Sequence, residues 1–198
     1  MNRILTLLLL GVCITLAGCE SAPKVSTDYN TAYDFAGKKR LAVLDPETAM
    51  AVLGKPVLGP GMNGLMSRRL TKTIEKELQA RGYELVLSKQ ADMIVTFFVT
   101  SRNKTQVNSY NNGFGYRRCW DAYRCAAFAS PQVDVKNYTE GTLFIDFIDP
   151  KEKMLEWRGV TSKRLPSKAN VSISERDKLA AEVVGAILAK YPPGASKN

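Results

Sequence analysis

Asp92-Met-Ile-Val-Thr-Phe-Phe-Val-Thr-Ser-Arg-Asn-Lys-Thr-Gln-Val-Asn108 is the stretch on which the reading of the fold turns. Successive side chains of an extended chain point to opposite faces. Met93, Val95, Phe97 and Val99 therefore share one face, while Ile94 and Phe98 lie on the other with Thr96 and Thr100. Val133 to Ile148 repeats the alternation, with Leu143, Ile145 and Phe147 on one face. Asp149-Pro-Lys-Glu-Lys153 has the composition of a tight turn, and Met154 to Leu165, carrying Leu155 and Trp157, reads as the strand returning from it.

On the N-terminal side, Val25 to Tyr29 and Lys39 to Leu44 read as two short strands. Asp45 to Gly61 is rich in proline and glycine and reads as a long connection, with a turn of helix over Ala49 to Leu53. Asn63 to Arg81 reads as a helix: Leu70, Ile74 and Leu78 recur every four residues, with Met66 one turn earlier. Gly82 is placed to stop it, since glycine takes the left-handed conformation at little cost. Tyr83 to Leu87 follows as a short strand. A last helix is expected from Ser174, capped by that hydroxyl, with Leu179, Val183, Ile187 and Tyr191 on one side, until Pro192-Pro193 ends it. The order predicts an α+β domain over residues 25–193, a two-layer sandwich of a largely antiparallel sheet with two helices on one face, then a short tail, 194–198. No internal repeat is present.

The first residues carry an address. Asn2-Arg3 opens on a positive charge, and Ile4 to Ala17 is almost unbroken apolar sequence. A bilayer core about 30 Å thick needs roughly 20 such residues as a helix. The run is shorter, with the flanks of a signal-peptide apolar region. Leu16-Ala17-Gly18-Cys19 matches the bacterial lipobox, whose cysteine is lipidated before cleavage. Residues 1–18 then form the signal peptide, Cys13 leaves with it, and Cys19 is the lipid attachment site, its acyl chains (palmitate among them) holding the domain to a membrane. Residues 19–24 form a short tether, so the domain sits close to its membrane. Glu20, in the place where enterobacterial precursors use aspartate to retain a lipoprotein in the inner membrane, favours the outer membrane facing the periplasm.

The chain holds 28 basic against 19 acidic residues and no histidine. That absence removes Ser-His-Asp and Cys-His catalysis, the usual zinc sites and an imidazole switch near neutral pH. The basic surplus would suit nucleic acid, but an envelope location argues against it and favours anionic lipid, anionic glycan or an acidic protein.

Four blocks together resemble a known family: Val25-Ser-Thr-Asp28-Tyr29 with Asp34-Phe35; Glu77-Leu-Gln-Ala-Arg-Gly82-Tyr83 leading into Ala91-Asp92; Glu140-Gly141-Thr-Leu-Phe-Ile-Asp146 with Trp157-Arg158-Gly159; and Ile187-Leu-Ala-Lys-Tyr191-Pro192-Pro193. In this order they resemble the bacterial lipoproteins grouped as domain of unknown function 4136. The resemblance implies a mixed α/β envelope domain and no particular activity. The long segment before the first helix and a cysteine-bearing loop depart from the family pattern.

That loop, between the two long strands, concentrates the candidate contact residues: Tyr110, Phe114, Tyr116, Arg117, Arg118, Trp120, Tyr123 and Arg124. Aromatic rings beside arginines suit a protein partner, a sugar or a lipid interface; alternatively they cover their own hairpin. Cys119 and Cys125 are expected to form a disulfide in the oxidising periplasm. Asp146 and Asp149 project to opposite faces of a regular strand, which speaks against a paired-carboxylate hydrolase, and Asp149 reads as a turn residue. Asn103-Lys-Thr105 and Asn137-Tyr-Thr139 match glycosylation acceptors, a code that does not normally operate in bacteria. Phe98, Phe144 and Ile148 leave the second face of the sheet half apolar, to be covered by the domain's own loops or by a partner. The sequence therefore predicts a non-enzymatic envelope lipoprotein, without cofactor or metal, that serves as an interaction or assembly module; the alternative is a binding module for an anionic glycan or lipid. The oligomeric state stays open.

Overall fold

The computed structural model describes residues 23–54, 64–110, 132–166 and 171–194, with residues 109, 110, 132 and 133 as backbone only. The signal peptide, Cys19 and residues 195–198 lie outside the described residues. Six strands form one sheet: β1 (Val25–Tyr29), β2 (Arg40–Val43), β3 (Glu84–Leu85), β4 (Met93–Tyr110), β5 (Gln132–Asp149) and β6 (Met154–Arg164), in the spatial order β1-β6-β5-β4-β2-β3. β4 and β5 pair antiparallel from Ile94↔Ile148 to Tyr110↔Gln132. β6 and β1 continue the antiparallel half. β2 lies parallel to both β3 and β4, because the chain between them crosses over through helices, as a parallel neighbour requires.

The predicted alternation places the core. Met93, Val95 and Phe97 of β4 meet Leu143, Ile145 and Phe147 of β5 and Trp157 of β6 on one face. Two helices cover it, α2 (Gly64–Ala80) with Leu70, Ile74 and Leu78, and α3 (Ile173–Leu188) with Ala180, Val184, Ile187 and Leu188. They run side by side in the same direction: Arg69 reaches Asp177 at 2.6 Å, and Arg81 reaches the Gly185 carbonyl at 3.3 Å. Past α3, Tyr191 closes the core. Its ring stacks on Phe147 at 3.7 Å, meets Trp157 edge-on at 5.3 Å and donates its hydroxyl to Met93 Sδ at 3.2 Å. Burial pushes the Tyr191 phenol well above its ordinary pKa.

Several expectations change. Met66 is 40 % exposed and outside the core stripe. On α3 the inward stripe is Val184, Ile187 and Leu188, with Leu179 and Val183 only partly buried. The cap is Ser172, not Ser174: its hydroxyl accepts the Glu175 N–H at 3.1 Å while the Glu175 carboxylate accepts the Ser172 N–H at 2.7 Å, a reciprocal box that starts the helix earlier. Tyr83 to Leu87 shrinks to the two residues of β3, because only Arg40 and Leu41 of β2 lie alongside. The long connection opens with a third helix, α1 (Pro46–Leu53). Asp45 caps it by accepting the Glu47 and Thr48 N–H groups at 3.1 and 3.2 Å, and Pro46 sits at the first position, where the lost N–H costs nothing. α1 packs on the opposite face, Leu53 meeting Ile94 and Ile148.

Asp149 is the turn residue expected of it. It accepts the Lys151 and Glu152 N–H groups at 2.7 and 3.1 Å and the Tyr33 hydroxyl at 2.7 Å. Burial opposes its charge, but these hydrogen bonds prevail and hold its carboxyl below the usual carboxylate range. In the sheet, Gly159 leaves room for the Trp157 ring and Ile187; a Cβ there would lie well inside contact distance of both. Gly159→Ala is therefore expected to cost about 1–3 kcal/mol of stability through overpacking, read as a lowered midpoint in chemical denaturation.

Candidate functional site

The face away from α2 and α3 carries a polar row, buried at Thr96 and Asp146, half-buried at Arg158 and exposed at Asp28. In register across the strands stand Thr96, Asp146, Arg158 and Asp28. Arg158 donates from Nε and Nη2 to the two Asp146 oxygens at 2.7 and 2.6 Å. The next row holds Phe98 and Phe144, stacked at 4.2 Å and nearly parallel, with the Arg158 guanidinium 5.5 and 5.7 Å from their centroids. The rings and the ion pair thus lock one another. Burial pushes the Asp146 carboxyl above the usual carboxylate range, and the bidentate Arg158 pulls it back only in part. The Thr96 hydroxyl beside it is buried and has no hydrogen-bond partner among the described residues. Asp146 and Asp149 do not converge: one faces Arg158 and the other Tyr33. A carboxylate held from both oxygens by a guanidinium is committed to that pair, so the row reads as structural specification of the sheet.

A different feature comes from the length of β4 and β5. β2 accompanies β4 only over Met93–Val95, and β6 ends opposite Glu140, with the Leu165 N–H still reaching the Thr139 carbonyl at 2.8 Å. From Lys104↔Tyr138 to Tyr110↔Gln132 the two strands have only each other among the described residues. They form a two-stranded ribbon that continues past the sheet. The two Asn-x-Thr triplets face each other across it: Thr139 donates to Asn103 at 2.9 Å and Thr105 to Asn137 at 2.8 Å. Next on that face are Val107 and Val135, a directly opposed pair 61 % and 54 % exposed. The other face is charged. Lys104 pairs with Glu140 at 2.5 Å, Lys136 with Asp134 at 3.0 Å, and Arg164 lies 4.5 Å from the Tyr138 centroid. The ribbon is basic on balance, with an apolar pair on one side.

Of the residues singled out from the sequence, Tyr110 is the last residue of β4, paired through its backbone with Gln132. Phe114, Tyr116, Arg117, Arg118, Trp120, Tyr123 and Arg124, and the Cys119 and Cys125 of the expected disulfide, lie outside the described residues, as does Cys19. Their covalent place is settled by the strands: residues 111–131 join the end of β4 to the start of β5. Phe98 and Phe144, flagged as a half-apolar second face, are brought together, and Ile148 is covered by Leu53 of α1. The Arg158 partner of Asp146 was not legible in the sequence: counting back from the 149–153 turn places Trp157 opposite Asp146, and only the bulge between Phe147 and Ile148 shifts the register to Arg158. A third feature is a cleft of about 1090 Å³ lined by Arg68, Lys72 and Lys76 of α2, Ile173 and Asp177 of α3, and the start of α1. Among the described residues, no three His, Cys, Asp or Glu side chains gather to hold a metal ion.

A profile described as "Domain of unknown function (DUF4136)" matches residues 25–193. The search of curated proteins finds no match. Among solved structures, a DUF4136 family protein from Bacteroides thetaiotaomicron is similar at 12 % identity and a TM-score of 0.49, over 87 % of this chain and 97 % of that one. A PDZ domain protein from Parabacteroides distasonis is similar at 13 % identity and a TM-score of 0.49, over 86 % of this chain and only 36 % of that one. A PelC dodecamer from Paraburkholderia phytofirmans is similar at 9 % identity and a TM-score of 0.44, over 84 % of this chain and 96 % of that one.

The Asp146–Arg158 pair makes a distinct prediction. Arg158→Met strands a buried carboxylate and is expected to destabilise the domain by roughly 3 kcal/mol at neutral pH. A carboxyl whose folded pKa is raised penalises the fold above that pKa, so part of the loss should return as the pH falls and Asp146 takes a proton. Denaturation midpoints of Arg158→Met measured across the acid range test this; a penalty that does not ease on acidification would refute it.

Proposed function

The chain belongs to the family described as domain of unknown function DUF4136, and on that premise we propose that it is an envelope lipoprotein that works by contact and not by catalysis. The observation that carries this reading is the β4–β5 ribbon. An isolated two-stranded hairpin is marginal in water, and a strand with an open edge invites a partner. Here such a ribbon is held out from a well-packed sheet, and its end carries the segment richest in arginine and aromatic residues. Rings and guanidinium groups in that combination dominate macromolecular contacts. The leading occupant of the contact arm is an envelope protein, which makes the chain an assembly or interaction module. The second reading, an anionic glycan or lipid, is favoured by the basic balance of the ribbon itself.

The sequence reading supplies the rest: lipidation of Cys19 after removal of residues 1–18, placement in the outer membrane facing the periplasm from Glu20, and a Cys119–Cys125 disulfide that fixes Trp120 and Tyr123 relative to one another. None of the contacts proposed needs a cofactor.

Two measurements test the proposal. Cys19→Ser should move the protein from the membrane to the soluble fraction and remove the acyl mass; a variant that stays membrane-bound and acylated would sink the anchor. Photocross-linking in living cells from a reactive residue at position 120 should give one recurrent protein adduct. Adducts to lipid or glycan alone would move the second reading ahead, and their complete absence would take contact away from the loop.

A further inference from the structure

The level at which β1 enters the sheet fixes where a membrane anchor lies. Val25 pairs with Thr161, Thr161 with Leu143, and Leu143 with Val99, so the four stand in one row. The Lys24 carbonyl accepts the Thr161 hydroxyl at 2.8 Å, which holds the chain to β6 up to that point. From there β1 runs backwards toward Cys19 in the same direction in which β4 runs outward into the ribbon. The six steps from Cys19 to Val25 span at most about 21 Å. From the same row, β4 continues from Val99 to Tyr110, about 37 Å at about 3.4 Å per residue. The arm is longer than the tether. A bilayer holding Cys19 on this side of the domain is met by the ribbon before the tether is taut.

The chemistry of the ribbon decides how it meets that surface. Standing upright, its distal part would enter the hydrocarbon, where charged side chains and open strand edges cannot be satisfied. Inclined along the surface, the exposed Val107–Val135 pair can face the acyl boundary while Arg102, Lys104 and Lys136 reach lipid phosphates over the open edges, as long cationic side chains do. These three cations outnumber Glu140 and Asp134 on their face. Leu65 and Ile173, 73 % and 71 % exposed at the first turns of α2 and α3, lie toward the same end of the domain.

We propose that the β4–β5 ribbon lies on the anionic lipid surface of the same membrane leaflet that holds the chain's N-terminal lipid, with Val107 and Val135 at headgroup level. The inference rests on the reading of Cys19 as the anchor and concerns the ribbon itself, leaving residues 111–131 at its end to the envelope protein proposed above.

The test uses the full lipidated chain, purified from membranes and reconstituted into vesicles of phosphatidylethanolamine and phosphatidylglycerol with nitroxide-labelled headgroups. A fluorescent amino acid is placed at position 107 or, as a reference at the opposite end of the sheet, at the exposed position 154. Emission from position 107 should be largely quenched and that from position 154 preserved. Quenching at 107 should weaken in phosphatidylcholine vesicles and in R102E/K104E. Equal emission from both positions in protein that floats with the vesicles would overturn the ribbon's placement while leaving the anchor standing. Protection of position 107 from lipid and aqueous quenchers alike would give the ribbon to another copy of the chain and overturn it too. Protein that lacks acyl mass and does not float would take down the anchor reading and this inference together.

Discussion

The register between β4 and β5 is the constraint on which the rest of the structure depends. Side chains alternate with a period of two, so a slip of one residue would carry Met93, Val95, Phe97, Leu143, Ile145 and Phe147 from the helix-covered face to the other one. Each dependent element is then placed by what that face offers. α2 and α3 have apolar stripes to bury and only this face to bury them on. Tyr191 can close the core only because Phe147, Trp157 and Met93 present a surface that one ring can stack on, edge against and donate to.

The second face holds the register by other means. Asp146 and Arg158 are directly opposed, bonded through both carboxylate oxygens, and roofed by the Phe98–Phe144 stack. Such a pair adds little net stability, because desolvation offsets the attraction. A register shift, however, would strand a buried carboxylate, so the pair acts against misalignment. The two faces are thus complementary: apolar burial drives the sheet together, and the ion pair makes the wrong alignment costly.

The same pairing that builds the core also makes the ribbon. β4 and β5 outrun every neighbour among the described residues, and past Leu165 their own backbone ladder continues alone, tied by Asn–Thr side-chain bonds and surface ion pairs. With no core against either face among the described residues, the ribbon gains nothing for the fold in proportion to its length. Its length makes sense as reach: it starts five residues past the row where β1 begins and projects beyond the sheet in the direction in which the N-terminal end of β1 points.

How much of this was legible in the sequence follows from the range of each interaction. Alternation in β4 and β5, the four-residue stripe of α2 and the 149–153 turn are local, and each was readable from neighbouring residues. The absence of histidine and the family resemblance were readable for the same reason, as patterns along the chain. Helix ends were less secure, because Ser172 and Ser174 differ as caps only through Glu175, and α1 was hidden in proline-rich sequence whose first proline starts a helix. Arg158 opposite Asp146, the parallel placement of β2, the second-face position of α1 and the shared direction of β1's N-terminal end and the ribbon belong to tertiary structure alone. Each depends on which strands become neighbours and at what offset, a choice made by burying one continuous core and not by any single segment. The sequence by itself determined what each strand would show on its two faces; only the packed sheet decided which residues would meet across them, because pairing is a contest among all strands at once.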